Sequence, residues 1–421
     1  MNRVWFQSCF SGAICFALAV GAVLPARADI VRPAGVAGQS FWSNFEHPLN
    51  LINGSGLVDT GGGIESATAL HNQTGFWHAT ETFGVGFGGG GPAVVANESL
   101  TFTLPGTYNL TAAHIWQFNQ PGLASRGVNQ YDLSVSSDGV SWTPMITNGI
   151  LAISGGGNIP VQSPNFDSNA TATGVRFARL QIDSAHSGAA NEYVGLSEVR
   201  FEGTQTSGGA LLTTGAAANS AGLTMQPTST DLLQGKIAAS SKNVFFGNPN
   251  EDGLGLARLT DGVGDNNFDH RLVTNEDFGI WQLTYSATEL GFAVGESLDI
   301  NRINVFGYNT DRRRFTDFDV QYTTDGSNWE YLFIGAANAS VPEDVDQVAL
   351  SSLALADDSM AMLTGVVGLR FDFRPIGYGV GAHSSLIEID VMGSVVPEPS
   401  AMTLLMVGAV GMSLFRRGYR R

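Results

Sequence analysis

The chain has 421 residues, of which 43% are hydrophobic, and its 38 acidic and 21 basic residues give a formal net charge of −17. A surface this acidic repels phosphate backbones, which argues against nucleic acid as a partner. The length exceeds what one hydrophobic core usually supports, so the sequence predicts two domains.

The N-terminus has the features of a secretory signal peptide. Arg3 precedes an apolar stretch from Ile14 to Leu24 and the small-x-small site Ala26-Arg27-Ala28. Residues 1–28 are therefore expected to be removed, with Asp29 as the first mature residue. Both cysteines of the chain lie within this segment. The mature chain is expected to have no disulfide, no thiolate ligand and no cysteine nucleophile.

The region between the two ends contains an internal repeat. Three pairs of motifs recur in the same order: YDLSVSSDGVSW (Tyr131–Trp142) and FDVQYTTDGSNW (Phe318–Trp329), GVRF (Gly174–Phe177) and GLRF (Gly368–Phe371), and GLSEVRF (Gly195–Phe201) and SLIEIDV (Ser385–Val391). Because three separated matches keep their order, the sequence predicts a duplicated domain.

Short segments that alternate apolar and polar residues predict β-strands, for example Ser99–Leu104 and Tyr131–Ser136. An Asp-Gly pair in each copy predicts a tight turn, and no stretch has long helical periodicity. The predicted fold class is all-β, with two tandem jelly-roll β-sandwiches at 29–203 and 236–394. A segment rich in Gly, Ser, Thr and Ala at 204–235 is predicted to be the linker.

The C-terminal residues 396–421 have the features of a sorting and anchor segment. Pro397-Glu398-Pro399 leads into the apolar run Ser400–Phe415, which predicts a short hydrophobic helix, and then into an arginine cluster that begins with Arg416 and Arg417. About 16 residues at about 1.5 Å each reach only about 24 Å, short of the ~30 Å hydrocarbon core. The arginines are expected to stay on the cytoplasmic side.

This tail resembles the PEP-CTERM sorting tail of Gram-negative bacteria. The resemblance implies recognition and removal by an exosortase-type enzyme during export, with transient or permanent membrane contact. An ordinary C-terminal membrane anchor is the alternative. Loss of both ends removes six basic residues and one acidic residue, leaving 15 basic and 37 acidic residues and a net charge of −22. Such a surface attracts cations, although acidity is also a common means of solubility.

Each copy resembles the discoidin family, which includes coagulation-factor C-type domains and galactose-binding-like carbohydrate modules. The resemblance rests on a strand followed by a loop arginine and then the repeated motifs: Ile115-Trp116, Arg126, YDLSVSSDGVSW, VRFARLQI and GLSEVRF in the first copy, and Ile303-Asn304-Val305, Arg313, FDVQYTTDGSNW, GLRFDF and SLIEIDV in the second. It covers about 60–203 and 240–393. It implies galactose-binding-domain-like sandwiches with two kinds of site.

The first implied site is a ligand face made by loops at one end of each sandwich. There an aromatic ring stacks on a sugar, while Arg, His and Asn side chains bond its hydroxyls. The candidates are Trp77, His78, Asn119 and Arg126 in the first copy, and His270, Arg271, Asn309 and Arg313 in the second. The alternative is that Trp77 fills the core and that the loop arginines balance the acidic surface.

The second implied site is a structural calcium ion near the entry and exit of the chain. The candidate ligands are Asp261 and Glu388 in the second copy, and Asp59 and Glu198 in the first. Calcium takes six to eight oxygen ligands, so loop carbonyls must also contribute. The alternative is that Glu198 and Glu388 form ion pairs with Arg176 and Arg370.

The sequence thus predicts an exported, non-catalytic protein of the cell surface or extracellular matrix that binds carbohydrate such as exopolysaccharide. No enzyme is expected, since no G-x-S-x-G, H-E-x-x-H or comparable motif is present. The alternative is a structural adhesion or assembly protein that binds another protein, with the sandwiches as scaffold. Exposed aromatic rings at a loop end favour the first function, and an exposed apolar patch favours the second.

Overall fold

The computed structural model describes residues 28–38, 48–64, 66–72, 78–79, 98–167, 172–187, 194–207, 209–219, 231–242, 244–246, 255–262, 272–274, 280–293, 295–309, 315–336, 347–356, 360–375 and 385–397. All of the predicted signal peptide but its last residue lies outside these ranges, as does the tail from Glu398 onward. In these ranges no helix is long and apolar enough to cross a membrane.

The first copy is built from strands, as its alternating pattern predicts. The described strands are β1 (Asp29–Val31), β2 (Gly35–Gly38), β3 (Leu57–Val58), β4 (Leu70–His71), β5 (His78–Ala79), β6 (Glu98–Gln117), β7 (Val128–Ser136), β8 (Thr143–Ile150), β9 (Val175–Ala185) and β10 (Gly195–Ser207). The described loops include short 3₁₀ helices at Pro48–Leu51 and Ala124–Arg126.

The second copy is also built from strands, with one short helix. Its described elements are β11 (Leu211–Asn219), β12 (Ala239–Ser240), β13 (Val244–Phe246), β14 (Leu272–Thr274), β15 (Trp281–Tyr285), α1 (Ala287–Leu290), β16 (Glu296–Asn309), β17 (Phe315–Thr323), β18 (Glu330–Ala336), β19 (Gln347–Leu355), β20 (Leu363–Val366), β21 (Gly368–Pro375) and β22 (Ser385–Pro397), with a 3₁₀ helix at Gly255–Thr260.

The long strand β6 connects the two sheets of the first sandwich. Its N-terminal half pairs with β2 and β9, and its C-terminal half pairs with β10. Pro105 and Gly106 lie where the pairing changes, because proline cannot donate to a ladder. The rings of Phe102 and Phe201, one from each sheet, meet edge to face at 5.7 Å in the core.

In the second sandwich the equivalent of β6 is divided into β15 and β16. The helix α1 lies between them, with a capping box formed by Ser286 and Glu289 and a left-handed C-cap at Gly291. One sheet has the order β12-β15-β21-β17-β18, and the other β11-β19-β16-β22-β14-β13. Trp281 and Phe373 pack at 5.9 Å within the core between them.

The two sandwiches share one continuous sheet. Val36 of β2 pairs with Ala336 of β18, so the strand order runs from β12 through β18 and β2 to β8. The hydroxyl of Thr103 lies 3.0 Å from both the backbone nitrogen and the carbonyl oxygen of Ile334. The copies are therefore joined by backbone pairing as well as by the covalent chain.

The segment predicted to be a linker, 204–235, is structured where it is described. β10 continues to Ser207, and β11 pairs residue for residue with β19, from Leu211 opposite Leu355 to Asn219 opposite Gln347. The second sandwich therefore begins at β11 and not at residue 236. The small residues that suggested a flexible linker form an edge strand here, because a ladder is held by backbone groups that every non-proline residue carries.

Candidate functional site

One end of the first sandwich gathers the ends of several strands into a loop end. His78 of β5 pairs with Leu196 at the start of β10, and Leu196 also pairs with Gln117 at the end of β6. Gly127, which precedes β7, bridges to Gly195. The backbone thus brings His78, Asn119 and Arg126 to the same end of the sandwich.

Arg126 is the last residue of the 3₁₀ helix Ala124–Arg126, between β6 and β7. Its backbone nitrogen donates to the carbonyl oxygen of Leu123 at 2.9 Å, and its side chain is half-buried. Among the predicted ligand residues, Arg126 is the one whose described side chain reaches the surface at this loop end. A guanidinium offers five N–H donors in a planar fork, which suits hydroxyl and carboxylate acceptors.

Asn119 is a structural residue of the loop end and not a ligand contact. It is fully buried, and its Nδ2 donates to the carbonyl oxygens of His71, Asn72 and Gly157 at 3.0–3.1 Å. Its Oδ1 accepts from the hydroxyl of Ser197 at 3.1 Å. The carboxamide holds three chain segments together, and the position of Asn119 at a strand end did not reveal that its side chain points inward.

Two further buried polar residues beneath this loop end were not selected from the sequence. Gln117 donates from Nε2 to the carbonyl oxygen of Val128 at 2.7 Å, and its Oε1 accepts from the backbone N–H of Phe118. His71 is fully buried with Nδ1 2.9 Å from the carbonyl oxygen of Asn72. Burial lowers the pKa of His71 to about 4, so the ring is neutral at pH 7.

Two isoleucines are exposed at the same end. Ile150, the last residue of β8, is 65% exposed and pairs with Gln130 near the start of β7, and Ile153 is 53% exposed. Within the described ranges no aromatic ring is exposed to a comparable degree. The loop end therefore presents a half-buried arginine and aliphatic surface in its described part.

The second copy places Asn309 at the position of Asn119. Gly307 of β16 pairs with Leu386 just as Gln117 pairs with Leu196, and Asn309 follows two residues later as the last residue of β16. The remaining candidates of the ligand face, Trp77, His270, Arg271 and Arg313, lie outside the described residues, as does the side chain of His78.

Glu198 and Glu388 occupy the same position in the last repeated motif of each copy, and each is called the closing glutamate of its copy. The closing glutamate of the first copy, Glu198, is neutralised by a neighbouring side chain. Glu198 forms an ion pair with Arg200, and both side chains are fully buried. Arg176 and Arg370, the partners considered from the sequence, lie elsewhere: Arg176 donates to the carbonyl oxygen of Leu332 at 3.2 Å, and Arg370 stacks 4.0 Å over the ring of Trp329.

Asp59 does not occupy the position in the first copy that Asp261 occupies in the second. It is exposed, and its Oδ1 accepts from the N–H groups of Gly61 and Gly63 at 2.7 Å, which lower its pKa. The N–H that reaches Glu198 comes instead from Gly54, at 3.3 Å. The equivalent of Asp261-Gly262 is therefore Asn53-Gly54, which has an amide in place of the expected carboxylate.

The second copy contains a cluster of three carboxylates. Oxygen atoms of Asp231, Glu388 and Asp390 lie within 4.8 Å of one another. Glu388 accepts from the backbone N–H of Gly262 at 3.1 Å through Oε1, but its buried Oε2 has no hydrogen-bond partner among the described residues. Asp231 accepts two backbone N–H groups through Oδ1, and its buried Oδ2 likewise has no hydrogen-bond partner in the described part of the chain.

This cluster fits a hard cation. Burial, together with the charges of Asp390, Asp261 and Asp231, raises the pKa of Glu388 to about 9, and burial and Asp231 raise that of Asp390 to about 6. Carboxylates this close favour full ionisation only when a positive charge lies among them. The oxygen-only donor set suits calcium. The predicted ligand Glu388 belongs to the cluster, and Asp261 is beside it, while Asp231 and Asp390 were not selected from the sequence.

Comparisons with known proteins found a match for the C-terminal tail and similar solved structures for the two sandwiches. Residues 395–421 match the PEP-CTERM protein-sorting motif. The comparison with curated proteins found no match. Among solved structures, a fucolectin from striped bass (Morone saxatilis) serum is 13% identical and matches over 87% of this chain and 97% of its own, with a TM-score of 0.26.

Two other solved structures match over about one copy. A family 32 carbohydrate-binding module of Clostridium perfringens in complex with galactose is 11% identical over 42% of this chain and 98% of its own, with a TM-score of 0.27. An F5/8 type C domain of Bacteroides fragilis is 12% identical over 41% and 91%, also with a TM-score of 0.27. Likenesses this distant carry no functional argument. The chain is thus an all-β protein of two β-sandwiches with a PEP-CTERM sorting motif at its C-terminus.

Proposed function

We propose that this protein is an exported, non-catalytic carbohydrate-binding protein of the cell surface or matrix, and that its loop ends contact an exopolysaccharide. The observation that carries the proposal is the position of Arg126 on the first loop end. Arg126 lies at the same loop end as the buried side chains of Gln117, Asn119 and His71, whose hydrogen bonds hold the loop segments in place. Loops held in this way lose little entropy when a ligand binds.

The sorting motif supports the proposed location. It begins at residue 395, within β22, whose last residue, Pro397, still pairs with Glu296 of β16. The second sandwich therefore continues directly into the sorting motif. An exosortase-type enzyme would act beside the folded body, and the membrane would be contacted through the tail.

The acidic cluster is not proposed as a catalytic pair. Glycosidases place two carboxyl groups on either side of a substrate in an open cleft. Glu388 is fully buried and Asp390 is 8% exposed, so a polysaccharide does not reach them. The cluster is assigned to holding the fold, with calcium as the proposed structural ion.

Glycan-array binding of the chain from Asp29 onward, purified in a mild detergent, tests the proposal. We expect specific binding that Arg126→Ala reduces by about tenfold or more, since hydrogen bonds to a charged donor contribute about 1.5–3 kcal/mol. Arg179→Ala is the matched control. Arg179 is also half-buried, but it lies in the middle of β9, away from the loop end, where its guanidinium stacks 4.1 Å over the ring of Trp142. Equal losses in both variants would overturn the role of Arg126.

A second candidate function is supported by the exposed isoleucines Ile150 and Ile153. Exposed apolar side chains at a loop end favour a protein partner, which would make the protein an adhesion or assembly component. A folded chain that binds no glycan, but retains envelope proteins in a pull-down that Ile153→Lys abolishes, would replace the carbohydrate proposal with this one.

A further inference from the structure

The last strand of each sandwich continues past a β-bulge as a paired arm. The bulge follows Glu202 in the first copy and Met392 in the second, and in both it skips one residue of the partner strand. Beyond the bulge lie Gly203–Ser207 and Gly393–Pro397, which are called the first and the second exit arm. Each exit arm stays paired with the long central strand of its sandwich, β6 or β16. The exit arm is therefore a repeated feature of the fold.

A glycine begins each exit arm, because the two backbones are in close contact at the bulge. A Cβ atom at Gly203 would lie 2.6 Å from the carbonyl oxygen of Asn109, and one at Gly393 would lie even closer to that of Asp299. A side chain at either position must push the arm away from its partner strand. The two glycines therefore offer equivalent positions at which either arm can be loosened.

The two exit arms lead to different destinations. After Ser207 the first arm leads into β11 of the second sandwich, whereas the second arm leads into the sorting motif, which spans residues 395–421. The first three residues of the motif, 395–397, pair with Leu298, Ser297 and Glu296 of β16. The start of the sorting motif is thus part of a folded ladder.

The second exit arm is held mainly by backbone pairing. Ser394, Val395 and Pro397 are exposed, and Val395 has 49% of its surface accessible. The residues of β22 that pack in the hydrophobic core, such as Val391, all precede the bulge. Segments with few buried contacts open locally while the rest of the protein stays folded. We therefore expect the arm to open without the rest of β22.

The second exit arm lies far from the end of the sandwich that corresponds to the loop end. Leu386 of β22 pairs with Gly307 at that end, and Pro397 pairs with Glu296 at the other. The separation is 397 − 386 = 11 residues, which span about 36 Å at about 3.3 Å per residue. Opening of the arm therefore leaves the opposite end undisturbed.

We infer that the second exit arm controls access to the sorting motif: when paired it withholds residues 395–397 from the processing enzyme, and when open it releases them. This inference rests on the proposed processing of the tail by an exosortase-type enzyme. An extended segment is recognised through its backbone N–H and C=O groups, and those that face β16 are occupied while the arm is paired. Cleavage of a folded protein follows the population of the locally open state. The rate of processing thus depends on how often the arm opens.

A disulfide clamp across the arm tests the inference. Ser297→Cys combined with Val396→Cys puts two thiols on directly opposite residues, at a separation that a disulfide can span. The chain from Asp29 onward has no cysteine of its own, so no other disulfide competes. In the bacterium that makes the protein, we expect immunoblots of the full chain to show processing slowed by about tenfold or more, and restored by a reductant. Val396→Cys alone is the control for the change within the motif, and it should be processed at the wild-type rate.

Gly393→Ala tests the opposite direction, because the added Cβ loosens the second arm. We expect faster processing and about tenfold faster hydrogen exchange of residues 394–397. Gly203→Ala is the matched control, since it loosens the first arm, which is not part of the motif, and it should change neither rate. The clamp decides the question even where a glycine variant does not fold.

The outcomes separate the inference from the proposed processing. A clamped protein that is processed at the wild-type rate would overturn the inference and leave exosortase-type processing in place. Equal acceleration by Gly393→Ala and Gly203→Ala would overturn it too, because general destabilisation would then explain the effect. A wild-type tail that stays intact would overturn the proposed processing, and the inference with it.

Discussion

His71 makes the first loop end sensitive to acid. The ring is fully buried, and burial lowers its pKa to about 4, below the value of about 6.5 for an unfolded histidine. The unfolded state therefore binds the proton more tightly, and stability is lost as the pH falls from about 6.5 to about 4. The full effect is about 3 kcal/mol, at about 1.4 kcal/mol for each factor of ten.

His71→Asn removes this titration while keeping a donor for the carbonyl oxygen of Asn72. We expect the urea midpoint of the wild type to fall between pH 6.5 and pH 4.5 more steeply than that of the variant. The difference between the two proteins at pH 7.5 measures the packing cost alone, and it serves as the internal control. Parallel pH profiles would show that His71 is protonated without cost in the folded protein.

The carboxylate cluster shows how far single residues can be predicted from the sequence. The closing Glu388 and the neighbouring Asp261 were predicted through the family resemblance, and both lie at the cluster. Asp231 was assigned to a linker, whereas its backbone bridge to Met392 and the N–H that Val391 donates to its carboxylate place it in the sandwich. Asp59 was selected because LVDTG resembles the entry loop of the family, whereas its carboxylate accepts N–H groups within its own turn. Side-chain direction in loops depends on contacts distant in sequence.

At the scale of elements, the junction between β2 and β18 requires glycine at position 335. Gly335 has φ = 116°, and a Cβ atom there would lie 2.3 Å from the carbonyl carbon of Val36. The backbones of the two sandwiches approach too closely for any side chain. The junction thus depends on the absence of a side chain at Gly335, and the pattern of hydrophobic residues in the sequence does not predict it.

Gly335→Ala is therefore expected to lower the free energy of unfolding by about 2 kcal/mol or more, from the left-handed conformation and the steric clash together. Gly326→Ala is the matched control in the same sandwich, because Gly326 has φ = 77° and nothing within 4 Å of the added Cβ. The free energy of unfolding of Gly326→Ala should fall by only about 1–2 kcal/mol, because alanine is strained in the left-handed conformation but meets no steric clash there. Urea unfolding followed by tryptophan fluorescence measures both, and equal losses would show that the junction tolerates the extra atom.

The outer edges of the continuous sheet carry residues that disfavour further strand pairing. Tyr331 of β18 donates its N–H to Asp138 of the first copy, whereas the equivalent position on β8 is Pro144, which has no N–H. The carbonyl oxygen of Met145 already accepts from Asp167. At the other edge, β12 is flanked by Lys236 and Lys242. Proline and lysine are common devices against edge-to-edge association.

The sequence predicted two sandwiches and their order but not their junction. Strand existence follows from alternation within about six residues, so the repeat and the all-β class could be predicted locally. The pairing of Val36 with Ala336 joins residues 300 positions apart, and it depends on two glycine-containing strands without a distinctive pattern. Small residues were interpreted as linker or loop, while in the fold they allow close backbone contact.

For the whole molecule, the continuous sheet predicts that the sandwiches unfold together. Arg176 of the first copy donates from Nη2 to the carbonyl oxygen of Leu332 in the second, and it interacts electrostatically with Tyr322 and Glu330. Its repeat equivalent, Arg370, stacks on Trp329 within the second copy. The same motif position therefore links the copies in one case and supports a single copy in the other.

We expect differential scanning calorimetry to show one cooperative transition for the wild type. Arg176→Ala leaves a partly buried carbonyl oxygen without its donor across the junction, at a cost of about 1–3 kcal/mol, and should separate the transition into two. Arg370→Ala should lower the Tm by a few degrees without separating the transition, since it weakens one sandwich and leaves the junction intact. Two transitions in the wild type, or a separated transition in Arg370→Ala alone, would mean that the shared sheet does not couple the sandwiches energetically.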